Sequence, residues 1–167
     1  MDDRSLLAQV LQAWHVNNSI NVKLIRKIPA KGFAAVPLAS RGRTVAAQLA
    51  HMHKVHVAWV RYFGAKLPRE ARPFKPGASP SRAQLVAAFR ASGKVVGEWV
   101  REKLETGGRV KFFQGKPVRW MCYLIAHDSH HRGQIALALK QNGMRLPQKV
   151  AINDIWYSWY GGDPKYR

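Results

Sequence analysis

The chain has 167 residues, 47% of them hydrophobic, with 28 Lys and Arg against 9 Asp and Glu and a formal charge of +19. That length and composition fit a single globular domain spanning 1–167 with a full hydrophobic core, and they exclude a disordered chain. No apolar run approaches the roughly 20 residues that cross a bilayer, and a lone cysteine, Cys122, excludes both an internal disulfide and a Cys-based zinc site.

Leu7, Val10, Leu11 and Trp14 recur at helical spacing, and Leu24 and Ile28 extend the pattern, which predicts a first helix over 5–27. Asn17, Asn18 and Asn21 are poor helix formers in its middle, facing either solvent or a polar bundle interior. Pro29 to Gly42 is a loop broken by Gly32, Pro37 and Gly42. The second helix is placed at 44–65, capped by Thr44 or Ser40. Its core stripe is Val45, Leu49, Met52, Val55 or His56, Trp59 and Phe63, with Lys54 and Arg61 opposite. Three histidines sit on it, and periodicity does not select His51: it puts His56 nearest the stripe, with His51 and His53 on the flanks.

A loop from Gly64 to Ser79 holds Pro68, Pro73, Pro76 and Gly77. The third helix is expected from Pro80, with Ser79 as its cap, to about Leu104. Leu85, Ala88 or Phe89, Ser92, Val96 and Trp99 or Val100 point inward, while Gly93 and Gly97 either admit a neighbouring helix or merely weaken this one. Gly107-Gly108 ends it, and Val110-Lys111-Phe112-Phe113 is read as briefly extended. Pro117 opens a fourth helix that runs to Asn142-Gly143, a C-cap signature. After a turn at Leu146-Pro147, a short helix over 151–160 carries Ile155, Trp156, Trp159 and Tyr160. Four long helices and a short fifth, with no strand alternation, predict an all-α helical bundle.

The fourth helix carries His127-Asp128-Ser129-His130-His131-Arg132-Gly133-Gln134. Residues four apart on a helix differ by about 40° in direction and about 6 Å in height, so the imidazoles of His127 and His131 share a face. Neutral imidazole suits zinc, nickel, copper or iron(II). Spacing alone leaves this open against a polar surface that is merely rich in histidine. The basic excess, with no acidic residue between Arg4 and Arg69, favours anionic partners. Its cations are scattered, without a run of four and without interleaved aromatics, so nucleic acid is not the favoured partner. Met1-Asp2-Asp3-Arg4 leads into an amphipathic segment without the apolar core of a secretory signal, and the expected place is the cytoplasm.

The stretch His127-x-x-His130-His131-Arg132-Gly133-Gln134 resembles the fourth-helix signature of the DinB/YfiT-like family. Leu49-Ala50-His51, with Trp59 eight residues on, resembles that family's Leu-x-His…Trp pattern on the second helix. The helix order, the long connection between helices 2 and 3 and the aromatic C-terminal segment agree, so the resemblance covers nearly the whole chain. It implies a four-helix bundle in an up-down-down-up arrangement and one divalent metal on three histidines. Carried over by motif, these are His51, His127 and His131. His53 and His56 are then surface or packing residues, and His130 is a neighbour of the ligands or a solvent residue. Gln134 lies close to the ligand face and is read as orienting a ligand imidazole. Arg132, about 100° from His131, either contacts an acidic group of a cofactor or substrate or pairs with a carboxylate of the bundle.

Three neutral imidazoles leave a divalent ion its full charge and an open position, the pattern of a catalytic site. Relatives of the type resembled include metal-dependent transferases that use bacillithiol, mycothiol or glutathione, a thiol-dependent isomerase, and proteins described as hydrolases. The leading expectation is a thiol S-transferase in which zinc, nickel or iron holds a low-molecular-weight thiol as thiolate. Asp128 is about 100° around the helix from His127 and is no obvious general base, which ranks hydrolysis lower. The reading from another class is a basic nucleic-acid-binding protein with a structural metal. A homodimer through Trp156, Tyr157, Trp159 and Tyr160 is the expected assembly.

Overall fold

The computed structural model describes residues 3–38 and 42–161, with side chains from Leu6 onward. Its helices are α1 (Asp3–Lys27), α2 (Val45–Tyr62), α3 (Arg82–Glu105), α4 (Pro117–Gln141) and a single turn, α5 (Tyr157–Tyr160). Among the described residues there is no strand, and no helix is long and apolar enough to cross a membrane.

Local chemistry sets the ends of these helices. Thr44 Oγ1 accepts the Ala47 amide at 3.1 Å and opens α2, while Ser40, the other cap candidate, lies outside the described residues. Helix α3 starts later than expected, because Ser81 and not Ser79 is its cap. Ser81 Oγ accepts the Gln84 amide at 3.3 Å and Gln84 Oε1 accepts the Ser81 amide at 2.8 Å, so two orphan donors are satisfied reciprocally. Ser79 has no Gln or Glu three residues on, which is why the later serine prevails. Pro117 occupies the first turn of α4, where a missing N–H costs nothing.

Contacts along the helices give their directions. Asn18 Nδ2 donates to Phe89 O at 3.1 Å and Arg82 donates to Ile28 O at 2.6 Å, so α1 and α3 are antiparallel. His56 meets Ser92, and Phe63 stacks on Trp99, so α2 and α3 are parallel. His51 meets His131 and Phe63 meets Trp120, so α2 and α4 are antiparallel. The order is up-down-down-up, as the resemblance implied. Gly93 serves close approach: a Cβ there would run into the Asn18 amide, and Trp14 Nε1 donates to the Gly93 carbonyl at 2.8 Å.

The core has two apolar zones. One gathers Leu24, Ile28, Leu49, Met52, Phe89, Ile135 and Leu139. The other gathers Leu11, Trp14, Val60, Val96, Trp120 and Leu124. Each such side chain contributes about 1.5–3 kcal/mol when fully buried. Between the zones lies a layer of buried polar groups: Asn17, Asn21, His56, Ser92 and Asp128. The bundle interior, not solvent, is where Asn17 and Asn21 point.

Two segments depart from expectation. Val110–Phe113 is not an extended strand; Phe112, Phe113 and Gln114 turn tightly with φ of 64°, 46° and 53°. The short C-terminal helix is a wide π-helical turn over Val150–Trp156 followed by α5. It docks on α1 through Lys23 Nζ to Ser158 Oγ at 2.7 Å, yet Trp156 and Tyr160 stay more than half exposed, at 56% and 53%.

Candidate metal centre

Helices α2 and α4 cross so that His51, His127 and His131 converge. One ring nitrogen from each lies within 4.8 Å of the other two, a cluster that could hold a metal ion. His127 Nε2 and His51 Nε2 are 3.4 Å apart. Two nitrogens about 2.1 Å from one tetrahedral ion would be about 3.4 Å apart, so this spacing fits a shared ion. His131 Nδ1 donates to Gln134 Oε1 at 3.0 Å, which leaves Nε2 as its lone-pair nitrogen. Gln134 Nε2 donates in turn to His130 Nε2 at 2.9 Å, so one amide orients both rings.

The electrostatics favour the neutral form of His51 and His131. Burial, followed by the nearby His127, His51 and His130, lowers His131 to about 4. Burial also lowers His51, helped by Arg43, His127 and Lys54. Neutral imidazoles are the form that binds a metal. The donor set therefore suits a borderline divalent ion such as zinc, nickel or iron(II).

Of the remaining histidines on α2, His53 is fully buried, with Nε2 3.2 Å from the Arg72 carbonyl. Burial is the main reason it falls to about 4. His56 is also fully buried and serves the polar layer. Its Nε2 donates to Asp128 Oδ1 at 2.8 Å, and its Nδ1 faces Ser92 Oγ at 3.4 Å.

Asp128 is the functional-looking residue whose place sequence reasoning missed. Asn17 and Asn21 both donate to its Oδ2 at 2.7 Å. Burial, the largest single influence, raises its pKa, but attraction to His56 and the polar interactions with His127, His56 and Asn21 outweigh it and hold the carboxyl well below the usual range. Arg132 donates to Asn17 Oδ1 at 2.8 Å, Asn21 Oδ1 at 2.7 Å and Ser129 Oγ at 2.7 Å. Its charge reaches Asp128 through two amides. The signal in the sequence was Asn17 and Asn21, one turn apart on a face with Trp14 and Leu24. His127 Nδ1, buried without a hydrogen-bond partner, lies 3.9 Å from Asp128 Oδ1, so the two clusters nearly touch.

An up-down-down-up bundle with three histidines converging between its second and fourth helices defines a helical protein with a three-imidazole site. The chain belongs to the DinB family, whose family model matches residues 1–159. No curated protein matches it.

Proposed function

We propose that the chain is a metal-dependent enzyme of the thiol S-transferase type, acting in the cytoplasm, with His51, His127 and His131 holding one divalent ion. The observation that carries this reading is the convergence of one ring nitrogen from each of three histidines within 4.8 Å. When bound, such an ion supplies positive charge that lowers the pKa of a thiol or water beside it. The chain's own residues do the rest. Gln134 fixes the direction of His131. Arg43 and Lys54, whose charges act on His51, meet the anionic part of a low-molecular-weight thiol. Arg132, engaged with Asn17, Asn21 and Ser129, serves the site through the Asp128 layer instead.

Hydrolysis ranks below thiol transfer because the nearest carboxylate, Asp128, is fully buried with its oxygens occupied. Part-exposed His51 and His127 favour an enzyme over a binding protein with a sealed structural metal. The test is metal analysis of tag-free protein, then conjugation assays with bacillithiol, mycothiol and glutathione against simple electrophiles. Protein without bound metal, or metal-loaded protein inert with all three thiols, would sink the reading. A homodimer through Trp156, Trp159 and Tyr160 belongs to the same proposal. A monomer by sedimentation at about 10 μM, where a moderate interface should hold, would remove it.

A further inference from the structure

The strained turn after α3 and the aromatic residues beside it form a surface that leads away from the histidines. Tyr123, one turn before His127 on α4, has its ring centroid 6.1 Å from the His127 ring. Phe113 lies 5.3 Å from Tyr123, and Trp59 lies 5.1 Å from Phe113. Phe112 and Tyr62 complete the outer end, stacked at 6.0 Å with 21° between their planes. Lys111 Nζ sits 5.4 Å from the Tyr62 ring centre and 5.8 Å from that of Phe112.

Trp59 and Phe113 rest on the second apolar zone of the core, but core packing does not account for the other three. Phe112 is 59% exposed, Tyr62 51% and Tyr123 38%. The backbone that presents Phe112 is also costly: its φ of 64° and ψ of −163° lie in a region that essentially only glycine enters. Three consecutive non-glycine residues hold positive φ here, kept in place by Gly115 N to Phe112 O at 2.8 Å and Lys116 N to Phe113 O at 3.0 Å. Strain that leaves a large apolar ring facing water is not repaid by folding. A ligand that covers the ring would repay it.

We propose that Trp59, Tyr62, Phe112, Phe113 and Tyr123 form the binding site for a flat aromatic substrate, with Lys111 receiving an anionic substituent at its outer end. The inference rests on the histidine cluster being the reaction centre only in calling this ligand a substrate. Ring faces and edges set at these spacings take a flat π-system by offset or edge-to-face contact. The ammonium supplies the charge that a sulfonate or carboxylate on the ring needs. The surface begins at His127, so a ligand lying on it has one end beside the metal centre and the other at Lys111.

The test is calorimetric titration of the purified full chain with 2-naphthalenesulfonate, a flat aromatic anion. Wild type should bind, and Phe112→Gly and Tyr123→Ala should each weaken binding about 3- to 10-fold, the range expected for one aromatic pair. Phe112→Gly should melt at or above the wild-type midpoint, because glycine enters that backbone conformation freely. Leu137→Ala, on a different face of α4, and His131→Ala should both bind as wild type does. No binding by wild type, unchanged affinity in both ring variants, or equal weakening by Leu137→Ala overturns the proposal. A lowered midpoint for Phe112→Gly makes Phe112 a packing residue and overturns it too. Lost binding in His131→Ala places the probe on the histidines and does the same. Wild type free of metal would defeat the reaction assigned to the histidines and leave this titration readable.

Discussion

Asp128 and His127 are neighbours on α4, yet the groups they anchor treat their polar atoms in opposite ways. Around Asp128, donors meet acceptors: two amides and an imidazole converge on the carboxylate, and Arg132 donates to the oxygens of both amides. Around His127, nitrogen faces nitrogen at 3.4 Å, so two rings share at most one proton, and Nδ1 of His127 has no hydrogen bond, with Asp128 Oδ1 3.9 Å away. Buried polar groups in native proteins are nearly always paired. The first cluster obeys that rule within the chain. The second would obey it by presenting lone pairs to a cation, as proposed above. On that proposal one cluster belongs to the fold and the other to its chemistry, and substitutions should separate them.

The largest effect is expected at Asp128. Asp128→Ala removes the acceptor for Asn17, Asn21 and His56 and leaves the part-buried Arg132 without the carboxylate its charge reaches through the two amides. Removing one partner of a buried charged pair costs about 3–5 kcal/mol. Urea unfolding with chelator present should show the whole loss. A variant as stable as wild type in chelator would mean that the carboxylate is not a structural anchor.

His131→Ala should behave in the reverse manner. With chelator it should cost less than Asp128→Ala, since it removes one buried ring and a single hydrogen bond, to exposed Gln134. With metal it should lose at least the 10–100-fold in affinity that an indirect partner costs, along with the stability that binding confers. His53→Ala is the control: it should keep stoichiometric metal while losing some stability, because its ring is fully buried. Retained metal in His131→Ala, or lost metal in His53→Ala, breaks the assigned triad.

Acid should resolve the two clusters in sequence. His53 and His131 lie near 4 in the folded chain against 6.5 when unfolded, so the unfolded state binds more protons between those values. Metal-free stability should therefore fall as pH drops from about 6.5 to about 4. The Asp128 contribution has the other window. Its folded value is depressed, so that stability is present above the ordinary carboxylate value of about 3.9 and is lost only as pH falls further. Asp128→Asn should keep the first decline and lose the second. Unfolding free energy that is flat from pH 6.5 to 4 would show that the histidines are not held neutral.

The difference between the clusters also decided what could be read from sequence. His127 and His131 are four residues apart, so helix geometry alone puts them on one face. His51 needed the family pattern, because periodicity on α2 pointed to His56. Helix α4 was legible from Pro117 and Asn142-Gly143, whose chemistry is local. The Asp128 layer was not, because each member read alone is an ordinary polar residue and its partners on α1 and α2 are remote in sequence. The turn at Phe112–Gln114 was also hidden, since it contains none of the residues that favour positive φ. At Ser81, a Ser-x-x-Gln pattern was present, and Pro80 drew the expected cap to Ser79 instead.

The smallest effect, and the one that ties the clusters to a single helix, is expected at Gln134. Its amide accepts from His131 Nδ1 and donates to His130 Nε2, and it touches neither Asp128 nor its partners. Gln134→Ala frees the His131 ring to rotate and to exchange tautomers, so the nitrogen facing His51 and His127 is no longer fixed. Metal affinity should fall about 10-fold, the lower end for losing an orienting partner. Stability in chelator should not change, because the side chain is exposed and the Asp128 network is untouched. Gln134→Glu preserves the acceptor and should restore most of the affinity, which a purely steric role would not predict. Competition titration against a metal-binding dye, run beside thermal melts in chelator, reads both quantities. An unchanged affinity in Gln134→Ala would mean that packing between α2 and α4 already orients His131 without the amide.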